Sequence, residues 1–262
     1  MILHLLGPAG TFSHDAALHL FPDAECVFMP HFDALFFTLS ASPDRVGFVP
    51  IENSLHGSVD DILDLQRETD VKLWKTYEVT IRHAFGARKP SHITAIASHP
   101  QALKQCRQWL QKEYPMLEHR SVISTASAIE MAAQDESIGA IGLAESMERA
   151  GLPVIAKGIE GASNTTRFGI VSLRDPFPDA VRQQMSIVLH PREDYPGLLH
   201  TLLTPFKIYD VNLTRIENRP VGGSLGDYYF FLDFFGSPKD PRTQKVLKEL
   251  ERLAEVKVLG EW

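Results

Sequence analysis

Apolar and polar positions in the first 173 residues alternate between two rhythms. Short runs rich in β-branched and aromatic residues, Ile2–Leu6, Cys26–Met29, Val46–Pro50, Val71–Trp74, Val79–Gly86, Ile93–Ser98, Ile138–Ile141 and Phe168–Leu173, predict strands. Between most of them the apolar spacing lengthens to the helical period. Over Gly57–Leu65 apolar side chains recur at i, i+3, i+4 and i+6 from Val59, with Asp60, Asp61 and Asp64 opposite. That pattern predicts an amphipathic helix whose acids lie near its positive N-terminal end. Strands alternating with helices predict an α/β body of mainly parallel sheets, with ligand-binding groups at the C-terminal ends of strands.

The rhythm changes after Asp175-Pro176-Phe177-Pro178-Asp179, where two prolines oppose both helix and internal strand, so residues 176–184 are expected to be a linker. Beyond it the pattern reads strand (Ser186–Leu189), helix (Gly197–Phe206), strand (Val211–Ile216), strand (Tyr228–Phe235), helix (Thr243–Ala254) and strand (Val256–Leu259). This βαββαβ order predicts an α+β ferredoxin-like domain over 185–262.

Composition narrows the function classes. A chain of 262 residues with 44% hydrophobic and 23% charged residues can bury real cores. Its two cysteines, Cys26 and Cys106, are too far apart in sequence for a paired-cysteine metal site and too few for a disulfide framework, which points to a reducing, cytoplasmic home. Apolar runs stop well short of membrane-spanning length, and the opening Met1-Ile2-Leu3-His4 lacks a basic leader, so it reads as a first strand. The net charge of −7 is concentrated early: residues 182–262 hold 11 basic and 11 acidic groups, leaving 15 basic against 22 acidic before them. An acidic body argues against nucleic-acid binding. An anionic ligand must then be held by local arginines and N–H groups against the overall field.

The candidate chemistry sits where strands end. Gly7-Pro8-Ala9-Gly10-Thr11-Phe12-Ser13 follows a strand and opens a helix, collecting hydroxyls and free N–H groups where anions bind. Pro50-Ile51-Glu52-Asn53-Ser54 and Ser98-His99-Pro100-Gln101, the latter followed by Gln105-Cys106, also end strands, and Asn164-Thr165-Thr166-Arg167-Phe168 places hydroxyls beside an arginine. Each has a plainer reading: Asn53, Ser54 and Ser98 as helix caps, Thr166 as a local cap, Arg167 as a structural ion pair. In an extended segment Arg167 points away from Thr166. Metal chemistry is not expected, since the 11 histidines form no His-Glu-x-x-His and His14 and His19 are off one helical face. The Gly7–Gly10 turn lacks the third glycine of a dinucleotide fingerprint and no Walker lysine follows, so no cofactor is expected.

In this order the motifs resemble those of prephenate dehydratases, and the resemblance covers nearly the whole chain. It implies a monofunctional lyase converting prephenate to phenylpyruvate, carbon dioxide and water for phenylalanine biosynthesis, with no cofactor. It implies Thr166 as the catalytic group and Thr11, Ser13, Asn53, Ser54, Ser98, Gln105 and Arg167 as substrate contacts, while Glu52 is a carboxylate awkwardly placed beside a dianion. It also implies a catalytic domain over 1–175 with two lobes like a periplasmic binding protein, 1–78 with 159–175 and 79–158. The ferredoxin-like region becomes an ACT domain that binds phenylalanine through Gly197, Leu198, Leu199, Asn212, Leu213, Thr214 and Glu217 in a homodimer or homotetramer. Three positions depart from the family pattern: His14 stands where glutamate is common, Leu198 where alanine is usual, and Asn218 where serine is frequent. Arogenate dehydratase and a non-catalytic amino-acid sensor remain the alternatives.

Overall fold

The computed structural model describes residues 1–161, 164–221 and 227–262. In chain order the elements are β1 (Ile2–Leu6), α1 (Phe12–Leu20), β2 (Glu25–Met29), α2 (Phe32–Ser40), β3 (Val46–Asn53), β4 (Gly57–Ser58), α3 (Asp60–Glu68), β5 (Lys72–Ile81) and β6 (Ala84–Gly86). There follow β7 (Ala95–Ser98), α4 (Pro100–Gln105), α5 (Arg107–Glu113), β8 (Glu118–Ser121), α6 (Thr125–Gln134), β9 (Ile138–Gly142), α7 (Ala144–Arg149), β10 (Val154–Lys157) and β11 (Asn164–Ser172). The chain closes with β12 (Gln184–Pro191), α8 (Leu198–Ile208), β13 (Leu213–Pro220), β14 (Tyr228–Phe235), α9 (Pro241–Leu253) and β15 (Ala254–Glu261).

Contacts divide the chain into two compact units. The first comprises Met1–Leu35, Phe48–Val59 and Tyr77–Phe168. In it β1 lies parallel to β2, and the strand order continues through β3 and β11 to β5. The two-residue β4 folds back antiparallel on β3, pairing Asn53 with Gly57, so Asn53 and Ser54 stand at a turn and not at the start of a helix. Gly57 and Ser58 therefore belong to a strand, and the helix expected from residue 57 begins at Asp60. A five-stranded sheet runs β10-β6-β9-β7-β8. Here β7 is parallel to β8 and β9, whereas β6 is antiparallel to β9 and β10. The sheets are thus mixed where alternation alone predicts parallel ones. Phe48 and Phe168 stack face to face at 4.8 Å under the first sheet, and Ile129, Ala132, Ala140 and Met147 are among the buried residues that pack together around the second.

The second unit comprises Phe36–Gly47, Asp60–Thr76 and Gly169–Trp262. Its C-terminal part has the expected βαββαβ order, with strands β13-β14-β12-β15 antiparallel throughout. Helices α8 and α9 cover one face through Leu202, Phe206, Val246 and Leu250, all buried against Ile187, Leu232 and Phe234. Helix α3 packs with Leu63 against Val188, Phe231 and Leu259. Arg219 spans Asp60 (2.6 Å) and Asp64 (2.7 Å), and Lys257 Nζ donates to the carbonyls of Arg67 and Thr69. Gly260 pairs with Leu73 so closely that a Cβ would stand 2.3 Å from the Leu73 carbonyl oxygen, a place only glycine can occupy. The contact division therefore differs from the sequence division, because residues 36–47 and 60–76 join the segment beyond Phe168.

Candidate active site

A cavity of 330 Å³ in the first unit collects groups from five stretches of chain. Leu6 ends β1, Phe12 and Ser13 open α1, and Asn53 ends β3. His99, Gln101 and Gln105 come from the start and length of α4, and Asn164, Thr166 and Phe168 from β11. Ile81 and His83 complete it from the end of β5 and just beyond. Strand ends and a helix start therefore meet, as the placement of the motifs predicts.

The polar groups form one connected hydrogen-bond relay, in which Gln105 Oε1 is a double acceptor and Asn53 Nδ2 a double donor. His83 Nε2–H donates to Gln105 Oε1 at 2.6 Å, and Asn164 Nδ2 donates to the same oxygen at 3.2 Å. Asn164 Oδ1 accepts from Asn53 Nδ2 at 2.6 Å, and Asn53 Nδ2 also donates to Thr166 Oγ1 at 2.9 Å. Asn53 is itself oriented by the Leu55 N–H, which donates to its Oδ1 at 3.1 Å. Because Thr166 Oγ1 already accepts, its hydrogen is what the residue has left to give, and accepting one hydrogen bond strengthens a hydroxyl as donor. His83 is 1% exposed, and burial pushes its imidazole below the ordinary histidine range against the upward pull of the Gln105 hydrogen bond and Glu160. His83 Nδ1 and Gln105 Nε2 are buried without a partner among the described residues, and both belong to residues that line the cavity.

Other expected site residues hold the walls. Thr11 caps α1, its Oγ1 accepting from the His14 N–H, and does not line the cavity. Ser54 joins the ends of β3 and β11 by accepting from the Thr165 N–H at 3.0 Å, while its own N–H donates to the Thr165 carbonyl. Ser98 is fully buried and donates to the Ile141 carbonyl at 2.7 Å, tying β7 to β9; the cap of α4 is His99, whose Nδ1 accepts from the Gln101 N–H. Arg167 turns away from Thr166, as strand alternation requires, and is bound by Glu52 (2.8 Å) and Glu78 (3.0 Å). Glu52 is thus paired with Arg167 and is not among the residues that line the cavity. His83, Asn164, Phe12 and Gln101 also line the cavity, although the sequence alone does not mark them as ligand contacts. Asn164 belongs to the Asn164–Phe168 motif, and His83 carries only a weak signal, a histidine next to Arg82 within the stretch Val79–Gly86.

The residues expected to bind an effector lie in the second unit. Gly197 precedes α8 with φ +90°, Leu198 is buried in the α8–sheet core, and Leu199 is exposed. Asn212 accepts the Phe235 N–H through its carbonyl, and Leu213, Thr214 and Glu217 lie on β13, where Glu217 faces Arg215 at 3.7 Å. Leu198 also reaches a 60 Å³ cleft lined by His190, Asp227 and Tyr228.

Fold and site define an α/β protein whose cavity is lined by amides, two hydroxyls and two imidazoles, groups suited to a small ligand. The sequence profile of the family described as prephenate dehydratase matches residues 3–176, so the chain belongs to the prephenate dehydratase family. It is 37% identical to the prephenate dehydratase of Methanocaldococcus jannaschii over 79% of this chain and 76% of that protein. It is 34% identical to the bifunctional chorismate mutase/prephenate dehydratase of Aquifex aeolicus over 98% of this chain and 72% of that one. The crystal structure of prephenate dehydratase from Arthrobacter aurescens in complex with L-Phe matches with a TM-score of 0.89 and 31% identity, covering 100% of this chain and 89% of that chain.

Proposed function

We infer that this chain is a prephenate dehydratase. In the reaction the bond from ring carbon to carboxylate breaks, its electron pair enters the ring, and the C4 hydroxyl leaves with a proton as water. Carbon dioxide and phenylpyruvate are the other products, and the driving force is aromatisation. The protein must orient the substrate and donate to the departing oxygen. The Asn53-to-Thr166 hydrogen bond carries the assignment, because it fixes Oγ1 as an acceptor and leaves the Thr166 hydrogen for the leaving hydroxyl. Ser13 at the N-terminus of α1 and the free amide donor of Gln105 suit the substrate carboxylates. The cavity lining holds no carboxylate among the described residues, so the ammonium of arogenate would enter without a counter-charge; this favours the keto side chain of prephenate. The test is incubation of the purified chain with each substrate at neutral pH: phenylpyruvate from prephenate at the higher kcat/KM is expected, and faster conversion of arogenate to phenylalanine would reverse the assignment.

Residues 1–175 are the catalytic domain in this reading, two-lobed like a periplasmic binding protein, and 185–262 an ACT domain that binds phenylalanine. The βαββαβ order and the L-Phe bound to the Arthrobacter aurescens relative support it. A 60 Å³ cleft is too small for an amino acid, and Leu199, Ile216 and Tyr228 are exposed nearby in the chain, so the effector site is completed by a second subunit of a homodimer or homotetramer. The buried Leu198 supports the α8 core, leaving the backbone of the turn and residues 212–217 to meet the ligand. The enzyme acts in the cytoplasm.

A further inference from the structure

We propose that His14 is a positioning residue of the dehydratase site and that it must be neutral to act; the proposal rests on the dehydratase reading. The turn between β1 and α1 carries Phe12 and Ser13 into the cavity, and Leu6 lines the same cavity at the turn's other end. The turn is demanding, since Gly10 sits at φ +81°. Its backbone is held at named points. Gly7 N–H donates to the Met29 carbonyl at 2.9 Å, and Gly10 N–H donates to His14 Nδ1 at 2.9 Å. The last bond is the one that chemistry can switch. A backbone N–H only donates, so Nδ1 must offer a lone pair, which places the ring hydrogen on Nε2.

Protonation at Nδ1 turns that acceptor into a donor facing a donor, and the Gly10 N–H loses its partner. The surroundings also favour the neutral ring. From β2 the Phe28 ring meets it edge-on at 5.0 Å, and burial is the main cause that lowers its pKa. Asp15 on its own helix acts in the opposite direction, and Arg149 on α7 lowers it further. A histidine whose folded pKa is lowered contributes fully above its unfolded value, about 6.5, and loses that contribution as pH falls through the folded value. The turn is therefore intact at neutral pH and loosens on acidification, carrying Phe12 and Ser13 with it.

The test compares the intact chain with His14→Gln and His14→Leu. A glutamine oxygen can accept from Gly10 N–H at every pH, whereas leucine cannot accept. For the unsubstituted chain, kcat should fall on acidification, after subtraction of the uncatalysed reaction, with a midpoint below the ordinary histidine value of about 6.5, because the folded ring protonates at lower pH. His14→Gln should restore kcat on the acid side, and His14→Leu should lower kcat about ten- to hundredfold at all pH values, the scale of a small misplacement at a reacting site. An acid limb unchanged in His14→Gln, or a folded His14→Leu variant with wild-type kcat, overturns the proposal. Protection of the Gly10 amide against hydrogen exchange gives a readout independent of turnover. It should drop on acidification in the unsubstituted chain and not in His14→Gln; an equal pH response in both would contradict the proposal. A chain without dehydratase activity that still shows this exchange difference would refute the dehydratase reading and keep the turn mechanism.

Discussion

Asn53 is the residue on which the site turns, because one amide nitrogen serves both Asn164 and Thr166. Asn53→Asp keeps the shape but replaces the double donor with an acceptor and brings a negative charge toward a dianionic substrate. The expected result is a fall in kcat of about a hundredfold with a raised KM, in a variant whose circular dichroism is unchanged. Steady-state kinetics at constant ionic strength would check it. Cys106 gives a different test: it is fully buried, and burial with Glu160 nearby pushes its thiol up to about 12. In native protein a thiol reagent should leave Cys106 unmodified until unfolding, as peptide mapping of the labelled protein would show. The sequence carries the identity of Asn53 and Thr166 in short motifs. It could not show that Arg167 is occupied by Glu52 and Glu78, since those partners lie 115 and 89 positions away.

At the scale of elements, the strands with apolar runs are legible and the polar ones are not. β8 is Glu118–Ser121, every residue exposed, and it exists because its backbone pairs with β7 from Ala95 to Ser98. β11 begins at Asn164, earlier than its apolar run, because the polar residues at its start bond Asn53 and Ser54. β5 extends from Lys72 to Ile81, joining two segments that look separate because Lys75, Thr76 and Glu78 interrupt the apolar pattern between them. The strand read through to Gly86 instead breaks at Arg82–His83, which is what frees His83 to enter the site. Ser98 belongs to this scale, as the pin between β7 and β9. Ser98→Ala should cost about 1 kcal/mol in urea unfolding, the net worth of one buried hydrogen bond. A midpoint that does not move would mean that the pin is redundant.

At the scale of the whole molecule, the proline-rich linker marks a change of pattern without marking where contacts end. Leu63 and Leu73 are covered by β15 and its neighbours, and Arg182 holds Asp175 at 2.6 Å and the Trp74 carbonyl. A chain ended at Asp175 would leave Leu63 and Leu73 uncovered. It should therefore unfold at lower urea than the intact protein or fail to give a cooperative transition, and an unchanged midpoint would contradict this packing. Phenylalanine binding is best measured on the intact chain. Calorimetry should show binding coupled to inhibition, with affinities for effector and substrate linked by about 5- to 150-fold, and sedimentation should find the bound form oligomeric.

The most direct test of the site is Thr166→Ala in the intact chain, assayed with prephenate at neutral pH. Loss of one directed donor to a developing charge predicts a fall in kcat of about 10²–10³ with KM little changed and the fold retained. A folded variant whose kcat falls less than about threefold would show that the leaving hydroxyl takes its hydrogen bond from another group.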